Sequence, residues 1–321
     1  MNKREINFCG RTFAADSKVV QLANVSPVDF IPLSELTELR ELRVVQTNPH
    51  RSLIGFPLDL TPLADLRHLE ILTLPKLVIR DLSPLGSLSQ LREIDLSSTE
   101  VSDLAPLQNN RHLRILRVRD TKVSALEPLS SLTQLEILDT GYTQISDVAP
   151  LRNLQNLSEL AIDNTDVVDV APLRDLNRLT DLKVNGSPIQ SLKELSELQW
   201  FLSTERMDLS ATQIADLSGI ESAMQITELF LFNTPICDIT PLIQLPRLRL
   251  LWLDYTKVKD IAPLSALTTL EDLSLEGSAV RDLSPLYQLS NLRRLDVTGT
   301  AIPPQQLQML AAKKEIEILG P

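Results

Sequence analysis

The stretch LSQLREIDLSSTEVSDLAPL, Leu88 to Leu107, decides the fold. Leu91, Ile94 and Leu96 give the spacing L-x-x-I-x-L, and Ile94 and Leu96 alternate with Glu93, Asp95 and Ser97 at the period of a short strand. One side faces a core and the other faces water. Thr99 and Val101 then carry the chain around a corner, where a hydroxyl can bond backbone groups that would otherwise be unpaired inside a stack. Asp103 stands three residues before Pro106. An Asp at an N-cap accepts bonds from the free N–H groups of a starting helical turn, and a proline within the first turn loses no intrahelical bond. D-L-x-P-L therefore predicts a short α or 3-10 turn.

The same unit returns along the chain. Pro84, Pro106, Pro128, Pro150 and Pro172 each precede a leucine at intervals of 22 residues. Pro32 and Pro62 extend the series toward the start, and Glu194, Gly219, Pro241, Pro263 and Pro285 toward the end, making twelve turns. The capping position is Asp in ten of them, with Ala125 and Ser191 as the exceptions. Thr121, Thr143, Thr165, Thr212, Thr234, Thr256 and Thr300 repeat the corner hydroxyl of Thr99, with Ser187 and Ser278 as substitutes. One unit cannot bury enough apolar surface to offset the entropy of ordering it, so neighbouring units must share one continuous core with sealed ends.

The pattern L-x-x-L-x-x-L-x-L-x-x-T-x-V-x-D-L-x-P-L resembles a leucine-rich repeat of the 22-residue class, as in bacterial internalins and SDS22-like phosphatase regulators. The resemblance implies an α/β fold, a right-handed solenoid with a concave parallel β-sheet and short α or 3-10 turns on the convex face. It also implies that the concave face binds another protein. The corner departs from the family, which often carries Asn where this chain has Thr or Ser, and one rung has Leu77 there. Internalins are exported and anchored, and no such segment is evident here, so adhesion does not carry over with the fold.

Without a linker or shift of composition, residues 1–321 read as a single domain: a cap and incomplete rung over 1–22, repeats over 23–300 and a C-terminal cap over 301–321. INFCGRTF around Gly10 predicts a capping hairpin or strand, and QQLQMLAAKKEIEIL a helix followed by a last strand through Ile316 and Ile318. Two intervals exceed 22 residues, near NPHRSLIGFP before Pro62 and near QWFLSTER before Gly219. Phe56, Trp200 and Phe201 in these insertions are expected to plug gaps in the core.

Acidic residues outnumber basic ones 42 to 31, a net charge of −11, and the basic residues form no stripe, so no nucleic-acid partner is expected. No stretch approaches the roughly 18 to 20 apolar residues of a membrane span. The start MNKREINFCG lacks an apolar segment behind its basic residues, which makes the cytoplasm the default compartment. Cys9 and Cys237 read as free thiols. His68 and His112 share one convex position two rungs apart, roughly 10 Å by strand spacing and too far for one metal ion. Asp139 and Asp163 are the least poor acid–base pair, but nothing supplies a nucleophile beside them. No catalytic, cofactor or metal site is expected, and the chain reads as a non-enzyme.

The water-facing strand positions carry more information. Most rungs are polar there, but TELFLFNT and LRLLWLDYT place Phe230, Phe232, Leu250, Trp252 and Tyr255 outward, beside Asp254 and the neighbours Arg206 and Asp208. Exposed aromatic clusters are common anchors of protein interfaces. These residues are the expected partner site, for a protein with a basic rim and an apolar centre. Ile115, Arg117, Arg119, Ile137 and Tyr142 form a second candidate patch. The expected role is a protein-binding scaffold, regulator or bacterial effector; the alternative is recognition of carbohydrate or a host surface by the same aromatics.

Overall fold

The structure is a computed structural model that describes residues 5–23, 30–45, 57–313 and 315–320. The chain divides into two compact units, Met1–Asp166 and Val167–Pro321. The insertion before Pro62, with His50 and Phe56, lies outside the described residues.

In the first unit, β1 (Glu5–Phe8) and β2 (Arg11–Ala14) pair antiparallel as the expected hairpin. Its tight turn needs two residues at positive φ, and Cys9 at 50° and Gly10 at 71° supply them. Ile6 and Phe8 face inward, and Phe8 meets Phe30 edge-on with ring centroids 5.7 Å apart. A parallel sheet follows in chain order: β3 (Val19–Ala23), β4 (Glu41–Val45), β5 (Ile71–Thr73), β6 (Glu93–Asp95), β7 (Ile115–Arg117), β8 (Ile137–Asp139) and β9 (Glu159–Ala161). The register steps by the repeat, Glu93 opposite Ile115 and Ile115 opposite Ile137, so equivalent positions of successive rungs form straight columns across the sheet face.

The second unit contains β10 (Asp181–Lys183) and then two short helices, α1 (Leu192–Leu195) and α2 (Gln199–Ser203). A six-stranded parallel sheet comes next: β11 (Arg206–Asp208), β12 (Glu228–Phe230), β13 (Leu250–Trp252), β14 (Asp272–Ser274), β15 (Arg294–Asp296) and β16 (Glu317–Leu319). The helix α3 (Pro304–Lys313) precedes β16, the arrangement expected of the C-terminal cap. Trp200 and Phe201 on α2 are buried edge-on against each other, so this insertion does plug the core. β10 and β11 do not pair as sheet neighbours, and a cavity of about 510 Å³ opens there between Asp181, Lys183, Trp200, Arg206 and Asp208.

Three local devices recur from rung to rung. The corner threonine donates its hydroxyl to the carbonyl three residues back, as Thr99 does to Leu96 at 2.7 Å and Thr256 to Leu253 at 2.6 Å. The hydroxyl gives that core carbonyl its donor, or adds to a longer backbone bond as at Leu253, which the Thr256 N–H reaches at 3.4 Å. The Asp of D-L-x-P-L accepts the N–H two residues on, Ala105 to Asp103 at 2.8 Å and Ala262 to Asp260 at 2.8 Å. It stands one residue ahead of the flanking position, so it shapes the entry to the 3-10 turn where an N-cap was expected; Ser191 is a true N-cap on α1. The third device was not anticipated. The residue before the corner position is left-handed in rung after rung: Lys76, Ser98, Asp120, Tyr142 and Asn164 in the first unit, then Gly186, Ala211, Asn233, Tyr255, Gly277 and Gly299 in the second.

Leucine fills the interior of both units. Leu96, Val101, Leu104 and Leu107 of the quoted rung are at most 1% exposed, as are Leu251, Leu253, Val258 and Leu264. Removing one such side chain to Ala costs about 2 to 5 kcal/mol in a close-packed core. The periodic residues thus build the scaffold, and the residues between them on the strands are left for other uses.

Candidate functional site

On β12, β13 and β14 the outward positions form a three-by-three grid. Its columns, read across the strands, are Glu228, Leu250 and Asp272; Phe230, Trp252 and Ser274; and Phe232, Asp254 and Glu276 beyond the strand ends. Trp252 sits at the centre and is half-buried. Phe232 is 36% exposed and Tyr255, at the adjoining corner, 58%.

Phe230 departs from the expectation of four exposed aromatics: it is only 4% exposed. Trp252 packs edge-on against it with centroids 4.9 Å apart, and the Arg206 guanidinium lies 4.5 Å from its ring centroid on the other side. Phe230 is therefore the floor of the site, holding Trp252 upright, and not an open contact. Arg206 is also committed within the chain, through a 2.9 Å ion pair with Glu228. Asp208 accepts the Ser210 N–H at 3.0 Å and so shapes its own corner. Leu250 is half-buried on β13 next to Trp252.

Tyr255 is not a strand residue as the sequence suggested. It occupies the left-handed corner position at φ 54°, a conformation that costs a bulky side chain about 1 to 2 kcal/mol and that Gly186, Gly277 and Gly299 take in other rungs. Its ring lies over Gly277, where a Cβ would come within 2.6 Å of it. Its hydroxyl donates to Glu276. The ring is thereby pinned on the surface beside Asp254.

Asp254 is 9% exposed. Its carboxylate accepts the Ser274 hydroxyl and the Glu276 N–H, the latter at 2.8 Å. Burial nevertheless outweighs these bonds and raises its pKa above the usual carboxylate value. Asp272 is raised as well, first by burial, with Arg294 3.8 Å away pulling the other way.

The second candidate patch has a different character. Arg119 reaches from β7 across Gly141 to Asp163, donating at 2.9 and 2.6 Å, and touches Asp139 at 3.3 Å. Asp163 is 3% exposed. The guanidinium also lies 4.7 Å from the centroid of the exposed Tyr142 ring, and Asp163 raises the Arg119 pKa above its ordinary value. A Cβ on Gly141 would fall 2.3 Å from the Arg119 Nη1, so glycine leaves the room that this crossing needs. Arg117 meets Glu93 at 3.3 Å, with Ile115 and Ile137 half-buried alongside. Asp139 and Asp163 are held as counterions of Arg119.

Among the described residues no three metal-ligating side chains group together, and no helix is long and apolar enough to cross a membrane. Comparison with solved structures decides the fold. An internalin, InlF, of Listeria monocytogenes superposes with a TM-score of 0.82 over 97% of this chain and 89% of its own, at 23% identity. The chain has the leucine-rich repeat fold. Two further solved structures align more loosely and over about half of their own length. A plant peptide hormone receptor, RGFR1, solved in complex with RGF2, matches 95% of this chain and 49% of its own at 15% identity and a TM-score of 0.59. A complex of TLR13 with ssRNA13 matches 94% and 50% at 16% identity and a TM-score of 0.59. No protein-family model matches the sequence, and no curated protein is significantly similar to it.

Proposed function

We propose that this leucine-rich repeat chain is a non-enzymatic interaction module that binds a protein or peptide on the sheet face of its second unit. Phe232, Leu250, Trp252 and Tyr255 make the contact, Phe230 supports it from below, and Arg206, Asp208 and Asp254 form its rim. The observation that carries this reading is the aromatic cluster: Trp252 stands half-buried against Phe230, with Phe232 36% and Tyr255 58% exposed beside it and the Tyr255 ring pinned over Gly277. Exposed aromatic clusters of this kind are common anchors of protein interfaces.

The receptor complex with RGF2 supports a peptide or protein ligand for this fold by analogy. The TLR13 complex shows that the fold also admits RNA, but a net charge of −11 and a sheet face rich in carboxylates oppose a polyanion here. An intracellular scaffold or regulator and a delivered effector are the settings that suit such a module.

The test is affinity capture with the wild-type chain, Trp252→Ala and Phe232→Ala, read by mass spectrometry. Proteins retained by wild type and lost from both variants are expected. The same proteins on all three would remove the site from this face.

A further inference from the structure

The grid around Trp252 contains an internal example of what it can hold. On its β11 side, the Arg206 guanidinium stacks on Phe230 while Glu228 neutralises it at 2.9 Å: a cation on a ring face with a carboxylate beside it. One rung further on, the ring is Trp252 and the carboxylates are Asp254, Asp272 and Glu276. No basic side chain occupies the corresponding place among the described residues. Arg294 approaches Asp272 at 3.8 Å from β15, and neither Asp254 nor Glu276 makes an ion pair among the described residues.

The aromatic surface is thus matched to a cation but supplied with none. A cation over the face of Trp is attracted by the ring quadrupole, more strongly so once desolvated, and guanidinium stacks on such rings more readily than ammonium. An anionic or apolar segment would gain less there. It would leave Asp254 and Glu276 desolvated without a counter-charge, a costly arrangement.

We propose that the occupant of this face is a basic peptide segment whose arginine side chain stacks on Trp252, bounded by Tyr255, and pairs with Glu276 and Asp254. The proposal rests on the reading of this face as a partner site and adds the chemistry of the partner. Burial of Asp254 and Asp272 agrees with it, since a neighbouring cation would bring their raised pKa values down.

The experiment is selection from a display library of random dodecapeptides, with three arms: the wild-type chain, Asp254→Asn with Glu276→Gln, and Trp252→Ala. The double variant keeps acceptors for the Ser274 and Tyr255 hydroxyls, so it preserves the hydrogen bonds of the folded face while removing the two charges assigned to the pairing. Wild type is expected to enrich peptides rich in arginine, the double variant to lose that enrichment, and Trp252→Ala to retain none of the wild-type sequences. For the tightest peptide, replacing its arginine by citrulline should weaken binding at least tenfold on wild type and by less than threefold on the double variant. Enrichment that depends on Trp252 but shows no basic residues would overturn this proposal and leave the partner site standing. Sequences shared by wild type and Trp252→Ala would overturn both.

Discussion

The third outward column of the sheet face is used in opposite ways by the two units. In the first, Arg119, Gly141 and Asp163 lie along it, and the arginine spans the glycine to close an ion pair within the chain. In the second, Phe232, Asp254 and Glu276 occupy the equivalent places with no cation among them. Each unit has a tyrosine at the left-handed corner, Tyr142 at φ 56° and Tyr255 at φ 54°. Tyr142 stacks with the chain's own Arg119, whereas Tyr255 leans over Gly277 toward acids. One scaffold thus presents a charge set that is already satisfied and another that is not. Only the second leaves a reason to recruit a cation from outside.

The contrast can be broken most forcefully in the first unit. Arg119→Ala strands the nearly buried Asp163 carboxylate, and denaturant unfolding should show a loss of about 2 to 3 kcal/mol, toward the lower range for a broken buried pair because Arg119 is a third exposed. Gly141→Ala should show part of the same loss, since its methyl collides with that pair. A loss below about 0.5 kcal/mol in both would mean that the clamp is only a surface pair.

The second unit should behave in reverse. Trp252→Ala is expected to weaken partner binding about 30-fold or more, the effect of losing an interface anchor worth about 2 kcal/mol. Its unfolding midpoint should move less than that of Arg119→Ala, as Trp252 is half-buried. Asp103→Ala, which removes only a turn-entry acceptor, should cost about 1 kcal/mol, the worth of one hydrogen bond, and leave binding unchanged.

The smallest effect concerns pH and has opposite signs in two sets of aspartates. Asp254 has a raised folded pKa, so its contribution is full at low pH and is lost as pH rises through that value. Asp254→Asn should therefore gain stability relative to wild type as pH climbs from 4 to 7. The turn aspartates Asp81 and Asp282 are held below the usual range by hydrogen bonds, Asp81 from the Ser83 side chain and Asp282 from the Ser284 backbone N–H first. Their contribution is present above the unfolded value near ~3.9 and is lost as pH falls through the folded one. Thermal melts from about pH 2 to about pH 7, run on wild type, Asp254→Asn and Asp282→Ala, check both signs.

The scaffold was legible because its signals are local and repeated. Leu at the core positions, Pro in the first helical turn and the corner hydroxyl each act within one rung, so reading Leu88 to Leu107 once reads most of the chain. The left-handed corner was legible too but went unread: Gly186, Gly277, Gly299, Asn164 and Asn233 share one column, and they place Tyr142 and Tyr255 at corners instead of on strands. What lay beyond the sequence depended on side-chain length and neighbouring columns. Phe230 looks as outward as Trp252 in sequence, yet it is covered because Trp252 and Arg206 close over it from adjacent strands. Likewise Arg119 and Asp163 are 44 residues apart, and only the absence of a Cβ at Gly141 lets them meet.

Hydrogen–deuterium exchange of the chain with and without a captured partner is the most direct test of the contrast between the two faces. The account predicts slower exchange on binding over Glu228–Glu276, with Ile115–Asp163 unchanged. Protection over Ile115–Asp163 with none around Trp252 would contradict it.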